Sequence, residues 1–457
     1  MSERFDAIVI GVGQAAPALC ARLDKEGLKT ALIERKLLGG TCVNNGCVPT
    51  KTMVASARAA HLASRGADFG FAARAVRVDM REVKRRKDRV VRHSTEGLKK
   101  WIAGMKHVSL VHGHAKFIAS RRIAVKGREL EAERIFINVG ARAAVPDLPG
   151  IKEVPFFTNS SIMEVDFTPR HLVIVGGSYI GLEFAQMYRR FGSAVTVVER
   201  APKVLPREDD DVAAEILAIL KREGVTVRTD AECMALAREG RNITVRLECK
   251  RGRKVAEGSH VLLAVGRTPN TSDLGLDAAG VKVNDRGYIE VDDECRTSVN
   301  GVWALGECNG RGAFTHTSYN DYEIVAANLF DNDQRRIADR IQTYALFIDP
   351  PLGRAGMTEV EAKKSGKRVL IGKMPMTRVG RAREAGETQG FMKVLVDADS
   401  KELLGAAILG MSGDEVVHSL LDMMYAKRPY TTIQRAVHIH PTVTELIPTL
   451  LGSLKPL

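Results

Sequence analysis

Two stretches of this chain carry the same alternation of apolar and polar positions. The apolar run Asp6-Ala-Ile-Val-Ile10 meets Gly11-Val-Gly-Gln-Ala-Ala16, passes through helically spaced apolar residues and ends in Thr30-Ala-Leu-Ile-Glu34. Farther on, His171-Leu-Val-Ile-Val175 meets Gly176-Gly-Ser-Tyr-Ile-Gly181 and leads to Val195-Thr-Val-Val-Glu199. Short continuous apolar runs stopped by glycine predict strands buried on both faces of a parallel sheet. Each terminal glutamate falls 23 residues after its first glycine. Strand, glycine turn, helix, strand and acid make the βαβ unit that holds the adenosine end of a dinucleotide. One match would be weak evidence; two at one spacing are strong.

The chemistry expected at these units is local. Gly11 and Gly13 let backbone approach a pyrophosphate at the positive end of a helix, and Glu34 can accept from ribose hydroxyls. The second unit offers Gly176, Gly177, Gly181 and Glu199 in the same places. Both fingerprints are variants. Ala16 stands at the third glycine position of the first, with Pro17 tolerable only in an opening turn, and Ser178 stands at the second glycine position of the second.

After these units come a strand at 242–248 and two turns that mark crossings between domains, Val139-Gly-Ala-Arg142 and Ala264-Val-Gly-Arg-Thr-Pro-Asn270. Gly301-Val-Trp-Ala-Leu-Gly-Glu-Cys308 reads as a strand ending in glycine and an acid. From about residue 340 the pattern changes to strands at 342–348, 390–396 and 403–409 and a helix at 414–426, an α+β arrangement. The expected fold class is α/β, with two Rossmann-like dinucleotide-binding domains and a C-terminal α+β domain.

Cys42 and Cys47 lie just after the first unit, in Gly39-Gly-Thr-Cys-Val-Asn-Asn-Gly-Cys-Val-Pro-Thr-Lys51. Such a pair can be a metal clip, an idle pair or a redox-active disulfide. In an ideal helix residues five apart sit more than about 7 Å apart, so a bridge needs a distorted turn. Asn44, Asn45 and Gly46 make the backbone permissive there, and Pro49 is expected to disturb regular helix beyond. A dithiol on such a segment, held against a cofactor, passes electrons.

At 457 residues the chain has room for two to four domains. Its seven cysteines are too few for a disulfide scaffold and suit a reducing compartment with one special pair. Cys20, Cys233, Cys249, Cys295 and Cys308 fall on core or strand positions and are expected to be inert, and His112, His114 and His316 show no ligand spacing. The first strand begins at Phe5 without a leader pattern, and no apolar run approaches the roughly 18 residues of a membrane span, so the expectation is cytoplasmic, with no membrane partner. Net charge is +13, much of it in residues 81–100. Val83, Val90, Val91 and Leu98 recur there at near-helical spacing, which predicts an amphipathic helix with a solvated basic face. Without stacking aromatics or zinc spacing, nucleic-acid binding is not the expected function.

These motifs together resemble one family. Gly-Gly-Thr-Cys-Val-Asn-x-Gly-Cys-Val-Pro-x-Lys, the paired βαβ units, Ala-x-Gly-Glu at 304–307 and His440-Pro-Thr-Val-Thr-Glu445 resemble the pyridine nucleotide–disulfide oxidoreductases over essentially the whole chain. Leu205-Pro-Arg-Glu-Asp209, Asn320-Asp-Tyr-Glu-Ile-Val325 and Asp349-Pro-Pro-Leu352 are most similar to the reactive-chlorine-resistance, mercuric-reductase-like branch. The resemblance implies a homodimer. It implies an FAD-binding domain over 1–150 and 271–338, an NAD(P)H-binding domain over 151–270 and a dimerisation domain over 339–457. Cys42 would be the interchange thiol and Cys47 the thiolate facing the flavin. Lys51 would lie near the flavin with Glu183 as partner, and Tyr179 would cover the nicotinamide pocket. Gly40, Thr41, Gly140, Gly266, Gly306 and Glu307 would join Gly11, Gly13 and Glu34 around the cofactors, with Glu307 where the family normally has Asp. His440, oriented by Glu445 and drawn from the partner subunit, would move protons during thiol–disulfide exchange. No resident metal is expected.

Glu199 favours NADH, since a carboxylate repels a 2′-phosphate, whereas Arg200, Lys203 and Arg207 lie close enough to admit NADPH. The acceptor is either a small disulfide or a metal ion, Hg(II) or Cu(II); a lipoamide-dehydrogenase-like subunit of a larger assembly is the further alternative. True mercuric reductases differ in an N-terminal metal-binding domain and in a vicinal cysteine pair that Leu450-Leu-Gly-Ser-Leu-Lys-Pro-Leu457 lacks.

Overall fold

The computed structural model describes residues 2–72, 75–249 and 252–457. It divides into two compact units, the first Met1–Thr52, Lys84–Ala144 and Gly266–Arg340, the second Met53–Val83, Val145–Val265 and Ile341–Leu457.

In the first unit the strand Glu3–Ile10 pairs in parallel with Thr30–Glu34 on one side and Arg128–Ile137 on the other. Val108–His112 and Val302–Ala304 extend the sheet, again in parallel, while Lys116–Ala119 and Arg122–Val125 add an antiparallel end. Parallel neighbours require a crossover, and the helix Ala16–Lys25 supplies the first. Pro17 sits in its opening turn, where a missing N–H costs nothing. Ala7 to Ile10 are all buried, as the apolar run requires of a strand covered on both faces.

The second unit repeats this scheme. His171–Val175, Ala194–Val198, Thr226–Arg228 and His260–Leu263 form a parallel sheet, with Tyr179–Arg190 as crossover helix. Ala231–Glu239, Asn242–Cys249 and Val255–Gly258 make an antiparallel meander. The unit also contains a six-stranded antiparallel sheet ordered Thr343–Leu346, Leu352–Gly356, Leu403–Leu409, Phe391–Asp397, Val369–Pro375 and Lys455–Pro456, which packs against the helix Gly413–Tyr425. This is the mixed α/β class the sequence predicts.

The two expected crossing turns are parts of one device. Ala141–Ala143 and Arg267–Pro269 pair as an antiparallel ribbon, and the unit boundaries at Ala144 and Gly266 lie at its end. The basic segment is helical, Met80–Ala103, with Val83, Val90, Val91 and Leu98 half-buried and Arg81, Arg85, Arg89 and Arg92 exposed. One basic residue breaks that pattern: Lys87 is buried and paired with Asp88. Among the described residues no helix is long and apolar enough to cross a membrane.

A buried charge cluster fixes the end of the helix Tyr179–Arg190. Arg190 binds Glu223 and Asp349 at 2.7 Å each, with only 5% of its side chain exposed. Removing one partner from a buried ion cluster typically costs about 3–5 kcal/mol. Asp349 would keep Arg58 and Glu223 would keep Gln186, so the low end applies. Arg190→Ala is therefore expected to lower stability by about 3 kcal/mol, read as a lower urea midpoint at unchanged slope; an unmoved midpoint would show these carboxylates need no counter-charge.

Candidate active site

The dithiol segment folds as two helices with a break between them. Gly40–Asn45 is a short helix, Gly46 leaves helical geometry at φ −133° and ψ −116°, and Cys47 opens the helix Cys47–Ser64. The break brings together sulfurs that one continuous helix would hold apart. The expectation for Pro49 needs correcting. It lies in the first turn of Cys47–Ser64, where its missing N–H has no helical partner to lose, and the helix runs on undisturbed.

Cys42 and Cys47 are unbridged and share a hydrogen bond. That bond is the largest influence on Cys47, whose pKa is lowered to about 6; burial opposes it, and Thr315 and the Lys51 ammonium reinforce it. The Thr315 hydroxyl lies 3.3 Å from Cys47 Sγ. Cys42 moves the other way, pushed far up by the same bond and by burial. The pair favours the proton on Cys42 and the thiolate on Cys47, which stands at the positive end of an 18-residue helix.

The first glycine loop stands beside this segment. The Gly39 N–H donates to Val12 O at 2.9 Å, and a Cβ on Gly40 would lie 3.1 Å from Gly13 Cα. Gly11 has φ +91°, and a Cβ there would lie 2.5 Å from Asn138 O, so no other residue fits. Glu34 accepts the Val12 N–H at 2.8 Å and the Lys36 N–H at 2.7 Å, one on each oxygen, leaving each a second lone pair. Asn138 donates to Leu305 O at 2.8 Å, yet its buried Oδ1 has no partner among the described residues and faces Gly13. Gly306 N–H donates to Asp321 at 2.7 Å, and Glu307 pairs with Arg267 at 2.6 Å. Gly140 and Gly266 are both at positive φ with open space where a side chain would be. An orphaned amide oxygen beside a glycine loop, with a carboxylate able to accept hydroxyls, fits the polar groups of FAD.

The second loop copies the first. Gly176 has φ +114° and stands against Ala264 O as Gly11 stands against Asn138 O. Glu199 accepts the Gly177 N–H at 2.6 Å and the Ala201 N–H at 2.8 Å. Gly181 presses on the loop so closely that a Cβ would lie 2.0 Å from Gly176 O. Ser178 is extended and Tyr179 begins the helix, its ring edge-on to Tyr344. Arg200 is exposed, and Lys203 is engaged by Glu208 O and Asp210 at 2.6 Å each. These groups suit the adenosine half of a second dinucleotide.

Glu183 is buried, not a surface acid, and accepts the Phe347 N–H at 3.0 Å. His440 Nδ1 lies 3.0 Å from Glu445 Oε2; the imidazole is 80% exposed and the carboxylate 15%. His438 instead meets Ala436 O. Thus Cys42, Cys47, Lys51 and the residues around the first loop share one unit, while Gly176, Gly177, Tyr179, Gly181, Glu183, Glu199, Arg200, His440 and Glu445 share the other. The sequence reading passed over Thr315, Asn138 and Arg267. Asn138 left a signal, a polar side chain ending the apolar run Ile135-Phe-Ile137; Thr315 left none, because only the fold carries it to Cys47.

The family model described as pyridine nucleotide-disulphide oxidoreductase matches residues 5–321, and that of the family's dimerisation domain matches 343–451. The chain belongs to this family. It is a flavin-dependent oxidoreductase that uses FAD and a nicotinamide dinucleotide. Among curated relatives, the probable pyridine nucleotide-disulfide oxidoreductase RclA of Escherichia coli is 35% identical over 99% of this chain and 100% of its own. A mercuric reductase of Staphylococcus aureus is 30% identical over 91% of this chain and 76% of its own. A Cu(II) complex of the HOCl-induced flavoprotein disulfide reductase RclA from Escherichia coli superposes with a TM-score of 0.89 at 34% identity, covering 98% of this chain and 99% of that one.

Thr315→Val removes one hydrogen bond from the Cys47 sulfur, so the thiolate should appear at higher pH than about 6. Thr315→Ser should restore the wild-type value. Ultraviolet thiolate absorbance of the reduced enzyme against pH reads this, and an unshifted Thr315→Val profile would remove Thr315 from the site.

Proposed function

We propose that the protein carries electrons from NADH through FAD to Cys42 and Cys47, and from them to a small disulfide. The observation that carries this reading is the thiol–thiolate pair, together with an imidazole whose orientation a carboxylate fixes. FAD, when bound, accepts two electrons from the nicotinamide and delivers them to the sulfurs. We assign its binding to Gly11, Gly13, Glu34, Gly40, Thr41, Gly140, Gly266, Gly306 and Glu307. The dinucleotide falls to Gly176, Gly177, Gly181, Glu199 and Arg200, with Tyr179 at the nicotinamide end and Lys51 and Glu183 in the same half-reaction.

In the acceptor half-reaction His440 takes the proton from Cys42, and the Cys42 sulfur attacks one sulfur of the substrate disulfide. The departing thiolate receives that proton from His440. Cys47 then attacks the Cys42 sulfur, closes the internal disulfide and releases the second substrate thiolate. Glu445 holds Nδ1–H, so Nε2 is the atom that handles the proton. The His440 pair serves the thiols of the partner in a homodimer. In support, Val437 and Ile439 flank it as apolar side chains 101% and 80% exposed on a single chain, within the matched dimerisation domain. NADH is favoured because Glu199 is pinned by two backbone N–H groups where a 2′-phosphate would sit and Lys203 is engaged elsewhere. Seven cysteines in 457 residues, too few for a disulfide scaffold, support a cytoplasmic setting.

Reduction of Cu(II) or Hg(II) is the second reading, favoured by the likeness to RclA, which was solved with Cu(II), and to mercuric reductases. NADH-driven turnover of a small disulfide and of each metal ion, in wild type and His440→Ala, separates the two. Disulfide turnover that falls by about 10²–10⁴-fold without His440 is the expected result. Metal turnover that survives the substitution, with little disulfide activity, would overturn it.

A further inference from the structure

A buried chain of polar side chains in the second unit ends on Tyr179. The ring of Tyr179 packs edge-on against Tyr344, centroids 5.3 Å apart at 75°, and the two side chains are hydrogen-bonded. The Tyr344 hydroxyl in turn donates to Glu208 Oε1. Glu208 lies in the Leu205-Pro-Arg-Glu-Asp209 motif, with its side chain wholly buried. Its Oε2 has no hydrogen-bond partner among the described residues, and Arg354 Nη1 is 3.7 Å from it. Arg354 is committed instead to Asp209 at 2.8 Å and Met357 O at 2.9 Å.

Beyond Arg354, Asp209, Asp211 and Glu359 converge as a cation site would, but the ammonium of Lys393 occupies their centre at 2.8, 2.7 and 2.5 Å. Each of these three carboxylates is thus paired with a cation. Glu208 is the exception, a buried carboxylate whose one hydrogen-bonding side chain among the described residues is Tyr344. A buried carboxylate left without that donor loses far more than an exposed one, so Tyr344 is held tightly. Tyr179, the first residue after Gly176-Gly-Ser178, is held through it.

We propose that Tyr344 and Glu208 are positioning residues that tether the Tyr179 hydroxyl and so preset its ring for nicotinamide binding. This rests on the assignment of Tyr179 to the nicotinamide end made above. Neither residue meets a substrate; both act by sparing the bound state the cost of ordering Tyr179.

The test is a double-mutant cycle on the FAD-loaded enzyme, using Tyr344→Phe, Tyr179→Phe and the pair, with Tyr179→Ala as a separate control. Tyr344→Phe keeps the ring and should raise KM for NADH about 2–10-fold, the weight of one hydrogen bond, with kcat and KM for the acceptor unchanged. In the Tyr179→Phe background the same substitution should do almost nothing further. A lower melting temperature with unchanged KM for NADH, or effects that multiply in the pair, would overturn the tether. If Tyr179→Ala leaves NADH binding and flavin reduction untouched, the assignment of Tyr179 itself has failed and the tether with it.

Discussion

The redox chemistry proposed for this protein depends on the contact between two sulfurs, Cys42 and Cys47. A continuous helix across residues 40–64 would hold Cys42 and Cys47 too far apart to make it, and the departure at Gly46 removes that separation. Once the thiols touch, their inequality follows from the direction of the bond between them and from Lys51, which acts on Cys47, whereas burial raises both thiols and Thr315 lowers both. The Gly39 N–H to Val12 O bond joins the same segment to the first glycine loop, so the sulfurs and the dinucleotide site are positioned by one stretch of backbone.

The two dinucleotide units solve a single problem in the same way and differ only where they are permitted to. In each, the acid at the second strand's end reaches back to a loop N–H and forward to the N–H two residues on, from Glu34 to Val12 and Lys36 and from Glu199 to Gly177 and Ala201. The bonds orient the carboxylate and leave lone pairs for ribose hydroxyls. The third glycine position shows the tolerance. Gly181 is pressed against Gly176 O and admits no side chain, while Ala16 begins its helix at the matching position with room for a methyl.

Legibility in the sequence tracked how local each feature is. The strands, the crossover helices and the terminal acids repeat at a fixed spacing, so Gly11 to Glu34 and Gly176 to Glu199 could be read directly. The helix Gly413–Tyr425 and three of the six strands of the last sheet were legible from their apolar periods, whereas Leu352–Gly356, Val369–Pro375 and Lys455–Pro456 were not. Contacts made by tertiary structure were not. Thr315 meets Cys47 across 268 positions, Arg267 meets Glu307 across 40, and Tyr344 meets Glu208 across 136. Pro49 misled for a related reason: its effect depends on where the helix begins, and Gly46 moves that start to within two residues of it.

The choice between acceptors comes down to where a proton must go. Disulfide reduction expels a thiolate that needs protonation, and the proposed mechanism gives that task to His440, whose Nδ1 meets Glu445. A metal ion taking electrons from two thiolates needs no such donor and would leave the His440–Glu445 pair without a role. The asymmetry of the pair sharpens the point. Glu445 is largely buried and His440 is almost fully exposed on one chain, so the carboxylate is spent on orientation and the ring is presented to something outside. An exposed imidazole fixed in direction, between two bare apolar side chains, is arranged for a surface that arrives from elsewhere; in the proposed homodimer a thiol pair on the second copy would supply both that surface and the proton.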